Sequence, residues 1–375
     1  MSNTSWKTIA ADLSSRIGNG ELQAGTRLPS GEEIAISWGV SRHTAHRAIH
    51  ELQRQGLVVR QRRWGTVVAD KSERITERVM FLVDIFAQAY NFPSADLIRG
   101  IQDGLGETIQ LMIAECKGDW LQEEKQLRRV ATAVDGLILC PTSHPRNTPL
   151  IRRLLEEDFP VVILDRVPEG LSCDAVASDN EEVTLRAIRA LEERGHRRIA
   201  FFSFYKPGFS SVLERHSAYI KALAEVGVED VSQYTRWFPR ELDEHPQQFV
   251  QSVYDSLFTL LRQSEPVTAL FCVQDSFAAA ALQACDQMGV TIPDDLELVT
   301  FNDWPPLMLR SPWCTHRIVQ RHYEIGRTAA DLLLFRSGNP SQEHELRRVP
   351  ADLFVADAGL IPVSSRPAET NGGSS

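Results

Sequence analysis

The chain has 375 residues, of which 43% are hydrophobic and 24% are charged, and its net charge is −10. This length predicts two or three domains, and this composition excludes a chain that stays unfolded. The sequence has no run of about 18 apolar residues and no signal peptide at its start, so we expect a cytoplasmic protein without a membrane span. The six cysteines are scattered, which predicts neither a disulfide framework nor a metal site.

The charge is unevenly distributed along the chain. Residues 1–78 contain more Lys and Arg than Asp and Glu, whereas the remainder is strongly acidic. A small basic segment ahead of an acidic body is typical of a protein that brings only its amino-terminal part to a polyanion. An ordinary solvated surface is the alternative.

Three helices are predicted at the start of the chain. Apolar residues at a spacing of three to four predict a first helix that ends at Gly18. Ser30 and Glu33 form the S-x-x-E pattern of a capping box, which predicts the start of a second helix that ends near Gly39. A third helix is expected over residues 42–55.

Two short apolar strands follow, at 57–60 and 66–69, and a basic turn joins them. Three helices and a β-hairpin are typical of a winged helix-turn-helix, whose third helix enters the major groove while the wing lies along the backbone or minor groove. We therefore predict that residues 1–70 form a DNA-binding domain.

The exposed side of the third helix and the basic turn carry the candidate DNA contacts. Side chains at the start of the helix suit base edges, and those of the turn supply charge for phosphates. The candidates are Arg42, His43, Thr44, His46, Arg47, Arg62, Arg63, Gly65 and Thr66. Two alternatives stay open: Arg47 is a solvated helix residue, or His43, His46 and His50 chelate a metal, which we do not expect.

Residues 8–69 resemble the DNA-binding domain of the GntR family in the phrases GELQAGTRLPS, WGVSRHTAHRAIHELQRQGLV and WGTVV. The resemblance implies DNA contacts by Arg42, Thr44 and Arg47, with Gly65 and Thr66 at the wing tip. Glu32 departs from the pattern, because many members of the family carry there an arginine that reaches DNA. This departure suggests an altered operator preference.

From residue 78 the pattern changes to short apolar runs that alternate with amphipathic helices. The runs are VMFLVD, LMIAE, GLILCP, PVVILD, IAFFSF, TALFCVQD and LELVTF. Strands that are apolar throughout are buried on both faces, which is typical of a parallel sheet covered by helices. We therefore predict an α/β body with parallel sheets, joined to the winged helix by a polar linker at 71–77.

Polar residues end most of these runs. In open α/β sheets ligands bind at the carboxyl ends of the strands, so these side chains should line one crevice, where acidic, amide and aromatic groups suit a polyhydroxylated ligand. The contacts predicted from this pattern are Phe86, Asp165, Phe204, Asp275 and Asn302. The alternative is that such Asp and Asn residues cap the following helices or shape a hinge, as we expect for Asp179 and Asn180.

The body resembles the effector-binding domain of the LacI/GalR family, which is similar to periplasmic sugar-binding proteins, over about residues 78–362. The phrases that carry the resemblance include FPVVILDR, ASDNEEV, LEERGHRRIAFFS, ERHSAYIKALAEVG and IPDDLELVTFND. The resemblance implies a ligand contact by Arg215, an acceptor of ligand hydroxyls at Asp275 and a hinge-side polar contact at Gln320. Asn302 stands where the family frequently has aspartate.

The same resemblance implies a periplasmic-binding-protein-like body at 78–363, made of two lobes joined by three crossovers. We place the first lobe at 78–179 with 320–345 and the second lobe at 180–319 with 346–363. The polar segment 364–375 is expected to be a disordered tail.

Together these features predict a homodimeric transcription regulator, a repressor that leaves a palindromic operator when a small sugar-like effector binds. We expect no enzyme activity and no cofactor, because GxSxG, GxxxxGK[ST] and GxGxxG are absent and no lysine of the body lies in a convincing pyridoxal phosphate motif. The alternative is a regulator whose sensor has lost ligand binding and serves only for dimerisation or protein contact.

Overall fold

The structure is a computed structural model of the chain. It describes residues 5–54, 57–61, 65–69, 76–83, 95–205, 208–302, 316–355 and 359–361. Within these ranges no helix combines the length and the hydropathy that a membrane span requires.

The amino-terminal head consists of three helices and a β-hairpin, as predicted. Its elements are α1 (Trp6–Gly18), α2 (Gly31–Trp38), α3 (Arg42–Arg54), β1 (Val58–Gln61) and β2 (Gly65–Val68). The hairpin is antiparallel, and Arg27 adds an antiparallel bridge to Val67 of β2. Apolar residues of the three helices and both strands form one core that belongs to the head alone.

The capping box predicted for α2 is present. The Glu33 N–H donates to Ser30 Oγ (3.2 Å), and the Ser30 N–H donates to Glu33 Oε2 (2.6 Å). These bonds with Ser30 hold the pKa of Glu33 below its usual range. Gly39, with a φ of 61°, ends the helix in the left-handed conformation that glycine adopts without strain. Local signals therefore define both ends of α2.

The body alternates strands and helices. Its strands are β3 (Arg78–Val83), β4 (Gln110–Glu115), β5 (Gly136–Cys140), β6 (Val161–Leu164), β7 (Asp174–Ser178), β8 (Ile199–Phe204), β9 (Thr235–Phe238), β10 (Ala269–Cys272), β11 (Glu297–Phe301), β12 (His316–Gln320), β13 (Leu346–Val349), β14 (Ala351–Val355) and β15 (Gly359–Ile361). Its helices are α4 (Ala95–Leu105), α5 (Trp120–Ala133), α6 (Thr148–Glu156), α7 (Asn180–Glu193), α8 (Ser210–Glu225), α9 (Pro246–Leu261), α10 (Asp275–Met288) and α11 (His322–Gly338).

These strands form two sheets, each with helices on both faces. The first sheet has the order β13-β7-β6-β5-β3-β4 and is parallel throughout. The second has the order β15-β14-β12-β11-β10-β8-β9, in which only β14 and β15 run antiparallel to their neighbours. Each sheet separates two hydrophobic cores, and this architecture confirms the predicted α/β fold.

The chain passes between the sheets three times, at Asp179, Arg321 and Pro350. Of the strands that end at these crossovers, β7 and β13 run parallel to their neighbours, and β12 runs parallel to β11. Each crossover therefore leaves from the carboxyl edge of a sheet. As a result, the carboxyl edges of the two sheets face each other across the hinge.

The predicted lobe boundaries need correction at two of these crossovers. We placed 346–363 in the second lobe, but β13 pairs with β7 of the first sheet, with Leu346 opposite Ala175. We placed Gln320 in the first lobe, but it is the last residue of β12, which belongs to the second sheet. The physical reason is that β13 has only Val349 buried, so its sequence carries no apolar pattern that assigns it to a lobe.

Helices α4 and α11 approach each other closely enough to require glycine. A β-carbon on Gly100 would collide with the backbone carbonyl of Tyr323, and one on Gly326 would collide with that of Leu97. A β-carbon on Gly104 would lie 2.6 Å from the β-carbon of Ala330. This close packing holds α11 on the first lobe, although some 220 residues of sequence separate the two helices.

We predict that Gly326→Ala lowers the free energy of unfolding by about 2–3 kcal/mol, because the added methyl forces the two helices apart. Gly338→Ala, at the exposed end of the same helix, is the control, since a β-carbon there meets nothing within 4 Å. It should leave stability unchanged or raise it by up to about 1 kcal/mol through helix propensity. Urea unfolding of both variants measures this, and equal stabilities would contradict the steric explanation.

A buried carboxylate lies at the amino edge of the second sheet, away from the crossovers. Glu297 at the start of β11 is bonded to His196 Nε2 and, at 2.9 Å, to His316 Nε2, and Arg194 Nε lies 2.6 Å from Glu297 Oε1. Burial of Glu297 opposes its ionisation, but the bonds from both histidines and the charge of Arg194 outweigh it and lower its pKa to about 2. The cluster joins the starts of β11 and β12 to the loop before β8.

We predict that Glu297 stabilises the body in its ionised form. Its pKa is about 2 in the folded chain against an ordinary value of 4.5, so this contribution is fully present above pH 4.5 and is lost as the pH falls towards 2. Wild-type unfolding free energy, measured by urea denaturation, should therefore drop over that window more than that of Glu297→Gln. Glu229→Gln, at an exposed position, serves as the control and should follow the wild type.

Candidate DNA-binding face and inter-lobe crevice

Helix α3 presents the predicted DNA contacts on one side and the head core on the other. Ala45, Ala48, Ile49 and Leu52 are buried in the head core. The predicted contacts are exposed, apart from the half-buried Thr44; they are Arg42, His43, Thr44, His46 and Arg47. This division leaves the side of α3 that carries the predicted contacts accessible from outside the head.

Each of three candidates on α3 contacts a neighbour at the start of a helix. The Arg42 guanidinium forms an ion pair with Glu32, in the first turn of α2. The Thr44 N–H donates to Ser41 Oγ (3.1 Å), so Ser41 caps α3, and the two hydroxyl oxygens lie 2.8 Å apart. A β-carbon on Gly31 would lie 3.0 Å from the ring of His46, so that ring covers the start of α2.

Arg47 is held in a different way. Its guanidinium carbon lies 4.6 Å from the centre of the Trp6 ring, in the geometry of a cation–π contact. Trp6 is the first residue of α1 and packs against the head core. Sequence analysis did not single out Trp6, because no local pattern links residues 41 positions apart.

Two of the four wing candidates are described. Gly65 starts β2 with a φ of 89°, a conformation that favours glycine, and the carbonyl of Thr66 accepts a hydrogen bond from the Leu28 N–H (2.8 Å). Arg62 and Arg63 lie outside the described residues, as does Phe86 of the body.

The crevice of the body lies between the carboxyl edges of the two sheets. Asp165 follows β6 and Asn302 follows β11, and both take the left-handed conformation, with φ values of 65° and 79°. Gln320 ends β12, and Asp275 is the first residue of α10, after β10. The crossovers thus bring together the strand ends that carry four of the predicted ligand contacts.

Arg215, on α8, is the most constrained of these candidates. It is only 6% exposed; its Nε donates to Asn180 Oδ1 (2.9 Å) and its Nη1 to the carbonyl of Val273 (3.0 Å). The guanidinium carbon lies 3.4 Å from the centre of the Phe301 ring. Burial lowers the pKa of Arg215 to about 10, against the attraction of Asp165, so the side chain remains a cation at neutral pH.

The first lobe meets the second around this cation. Ser211 Oγ of α8 donates to Asp165 Oδ2 (3.5 Å), and the Val167 N–H donates to Ser210 Oγ (3.1 Å). The Arg166 guanidinium lies 4.1 Å from the centre of the Phe209 ring. Residues of both lobes therefore touch at the crevice, and the cation of one lobe faces the carboxylate of the other.

A chain of hydrogen bonds crosses the hinge. Gln320 accepts from Ser178 Oγ (2.6 Å) at the end of β7, and its amide nitrogen donates to Asn302 Oδ1. Arg321 and Asp352 form a bidentate ion pair (2.7 and 3.0 Å) that joins the second crossover to the third. Asn302 and Gln320, both predicted ligand contacts, thus lie side by side. In this structure their side chains bond to each other.

The prediction that Phe204 contacts the ligand needs correction, because its side chain lies in the hydrophobic core. It is 1% exposed and packs against Phe249 and Phe277, with ring centres 5.2 and 4.7 Å away. Its position in β8 directs it to the core under α9 and α10, whereas Phe201 faces the core on the α7 and α8 side. A strand that is apolar at every position gives no signal for which face a given side chain takes.

Asp275 is 2% exposed, and its Oδ1 accepts a hydrogen bond from the Ser276 N–H (2.9 Å). Asp179 caps α7, as expected, by accepting from the Glu182 N–H (3.2 Å). Asn180 does more than cap or shape a hinge: it is fully buried and bonds both Arg215 and Glu214.

Glu214 also reaches the first lobe. Its carboxylate accepts two hydrogen bonds from Arg348 of β13, both of 2.7 Å. With Asn180 this forms a continuous path from Arg348 of the first lobe, through Glu214 and Asn180, to Arg215 in the crevice. Sequence analysis missed this path, because its members are 34 to 134 positions apart.

A winged helix with a basic exposed face, joined to a two-lobed body with a polar crevice, defines a class of protein: a DNA-binding regulator with a ligand-binding domain. Comparisons with known proteins agree with this class. Residues 6–68 match the profile of bacterial regulatory proteins of the gntR family, and residues 188–355 match that of the periplasmic binding protein-like domain.

Several curated relatives are transcription regulators. The arabinose metabolism transcriptional repressor of Geobacillus stearothermophilus is 26% identical over 308 residues, which is 79% of this chain and 81% of the relative. The repressor of the same name from Halalkalibacterium halodurans is 24% identical and covers 88% of each chain. The ribose operon repressor of Haemophilus influenzae is 28% identical over 70% of this chain and 76% of its own.

Solved structures share the fold. A LacI family regulator from Enterococcus faecium with bound ribose has a TM-score of 0.57 and 25% identity, covering 73% of this chain and 96% of its own. The regulator CelR in complex with cellobiose has a TM-score of 0.63 and 23% identity, covering 88% and 100%. The chain is thus a transcription regulator that joins a gntR-type DNA-binding segment at residues 6–68 to a periplasmic binding protein-like domain at residues 188–355.

We predict that Asn180→Ala lowers the free energy of unfolding by about 1–3 kcal/mol, because it leaves a donor of a buried guanidinium without its partner. Asn180→Asp keeps an acceptor for Arg215 but places a second carboxylate beside Glu214, and it should cost stability as well. Urea unfolding measures both variants. Gln102→Ala, at an exposed position of α4, is the control and should change stability by less than about 0.5 kcal/mol.

Proposed function

We propose that this regulator is a repressor that binds a palindromic operator as a homodimer. A small sugar binds in the crevice of the body and thereby releases the repressor from DNA. The observation that carries the proposal is the buried Arg215 cation at the crevice, fixed by Asn180 and Val273 and facing Asp165 of the other lobe. A buried charge is costly unless it is paired, and a ligand in the crevice would add to the two hydrogen bonds that Arg215 makes within its own lobe.

The chemistry of the crevice suits a polyhydroxylated ligand. Guanidinium groups donate hydrogen bonds, Asp165 and Asp275 accept them, and the amides of Asn302 and Gln320 do both, so hydroxyls find partners of either kind. The relatives named for arabinose and ribose, and the solved structures with ribose and cellobiose, favour a sugar within this class. This support argues against the alternative of a sensor that has lost its ligand.

An edge of the first lobe supports the dimer. Strand β4 is the edge strand of its sheet and exposes Met112 and Ile113, which are 38% and 46% accessible. An apolar edge strand invites association unless it is covered, and a second copy of the chain would cover it symmetrically. Two heads would then read two half-sites of a palindrome, about one helical turn apart.

Binding in the crevice would act on DNA through the lobes. A ligand that contacts Arg215 and Asp165 at once favours the closed arrangement, and closure changes the spacing of two heads in a dimer. A coupling free energy of about 1–3 kcal/mol is enough to change operator affinity about 5- to 150-fold.

The proposal is tested by thermal unfolding of the full chain with L-arabinose, D-ribose, D-xylose, D-galactose and cellobiose. A sugar at 100 times its dissociation constant should add about 2.7 kcal/mol of stability. Arg215→Met should weaken the binding at least about tenfold, because it removes a charged donor from the site. Arg189→Met, which removes an exposed arginine paired with Glu225, is the matched control and should bind as the wild type.

The same sugar is then added to the complex of the protein with DNA selected from a random library. Weaker DNA binding supports the repressor with an inducer, and tighter binding reverses the sign of regulation. If no sugar stabilises the protein while DNA still binds with a steep salt dependence, the head binds DNA but the proposal that the body binds a sugar is wrong.

A further inference from the structure

Arg42 and Arg47 are both exposed on α3, five positions apart, but their contacts differ in kind. Arg42 donates to the Glu32 carboxylate, so that carboxylate already occupies part of its guanidinium. Arg47 makes no hydrogen bond or ion pair with any residue in the described part of the chain. Its guanidinium carbon instead lies over the Trp6 ring, 4.6 Å from the ring centre.

This difference has a chemical consequence. A cation–π contact needs no hydrogen-bond acceptor, so it pairs none of the guanidinium N–H groups with an oxygen or nitrogen atom. None of the five N–H donors of Arg47 is therefore bonded to an acceptor in the described part of the chain, and a guanine edge or a phosphate accepts hydrogen bonds from such donors. An ion pair such as that of Arg42 consumes a donor and brings a negative charge towards DNA.

Trp6 is suited to act as a fixed platform. It is the first residue of α1, and the preceding Ser5 caps that helix by accepting a hydrogen bond from the Thr8 N–H (3.3 Å). One part of the ring packs against the head core. Lys7 Nζ also lies near the ring, but at 5.7 Å it is farther from the centre than Arg47.

We propose that Trp6 is a positioning residue for DNA recognition, which acts by holding the Arg47 guanidinium in place before DNA arrives. A free arginine side chain loses rotamer freedom when it docks, and a side chain that is already ordered loses less. Trp6 itself contacts Arg47 and does not contact DNA. The inference rests on the proposed DNA contact of Arg47.

The test is a double-mutant cycle on the full chain. The variants are Trp6→Leu, Trp6→Phe, Arg47→Ala and Trp6→Leu with Arg47→Ala. Trp38→Leu is the matched control, because Trp38 packs half-buried against the same core and makes no cation–π contact among the described residues. Affinity is measured by fluorescence anisotropy with the duplex that the wild type enriches from a random library, and thermal unfolding of each variant is recorded alongside.

Trp6→Leu should weaken binding about three- to tenfold, whereas Trp6→Phe, which keeps an aromatic face, should stay within about twofold. In the Arg47→Ala background, Trp6→Leu should have an effect below about 1.5-fold, because a residue that acts through Arg47 has nothing left to position. Trp38→Leu should lower thermal stability without changing the affinity of the folded protein.

Multiplying effects of Trp6→Leu and Arg47→Ala would overturn the proposal, since they would show that Trp6 acts on DNA binding independently of Arg47. Equal loss for Trp6→Phe and Trp6→Leu would overturn it as well. Failure of the proposed function appears differently: the wild type then enriches no duplex and binds none with salt dependence. A wild type that binds while Arg47→Ala binds equally well removes Arg47 from the DNA contacts and refutes the inference.

Discussion

The three crossovers at one edge of both sheets determine what the body can do. Parallel strands place all their carboxyl ends at one edge, and the chain leaves each sheet there, so the two edges face each other. The convergence of Arg215, Asp165 and Asn302 in one crevice follows from this arrangement. The crossovers are also bonded to one another, through Ser178 with Gln320 and Arg321 with Asp352.

Sequence patterns predict the part of the structure that local physics determines. The winged helix follows from helical spacing, a capping box and glycine stops, and each of these signals spans a few residues. The parallel sheets follow from runs that are apolar at every position, because only a strand covered on both faces needs such a run. Since parallel strands end at one edge, the polar residues after them could be placed in one crevice without knowing the order of the strands.

The rest of the site depends on information that no short pattern contains. Phe204 was misplaced because β8 is apolar throughout and hides which face each residue takes, and β13 because it is short and mostly exposed. The path from Arg348 to Arg215 and the contact of Trp6 with Arg47 join residues far apart in sequence. Such contacts exist only after the chain has folded, so they follow from tertiary structure alone.

The order of the elements also separates the head from the body in time. The head is complete at residue 69, whereas the first lobe needs α11 and β13 and the second needs β14, which ends at Val355. At about 5–20 residues per second, a ribosome needs roughly 15–60 s to make the segment between them. During every round of synthesis a folded head therefore exists before any sensor can restrain it.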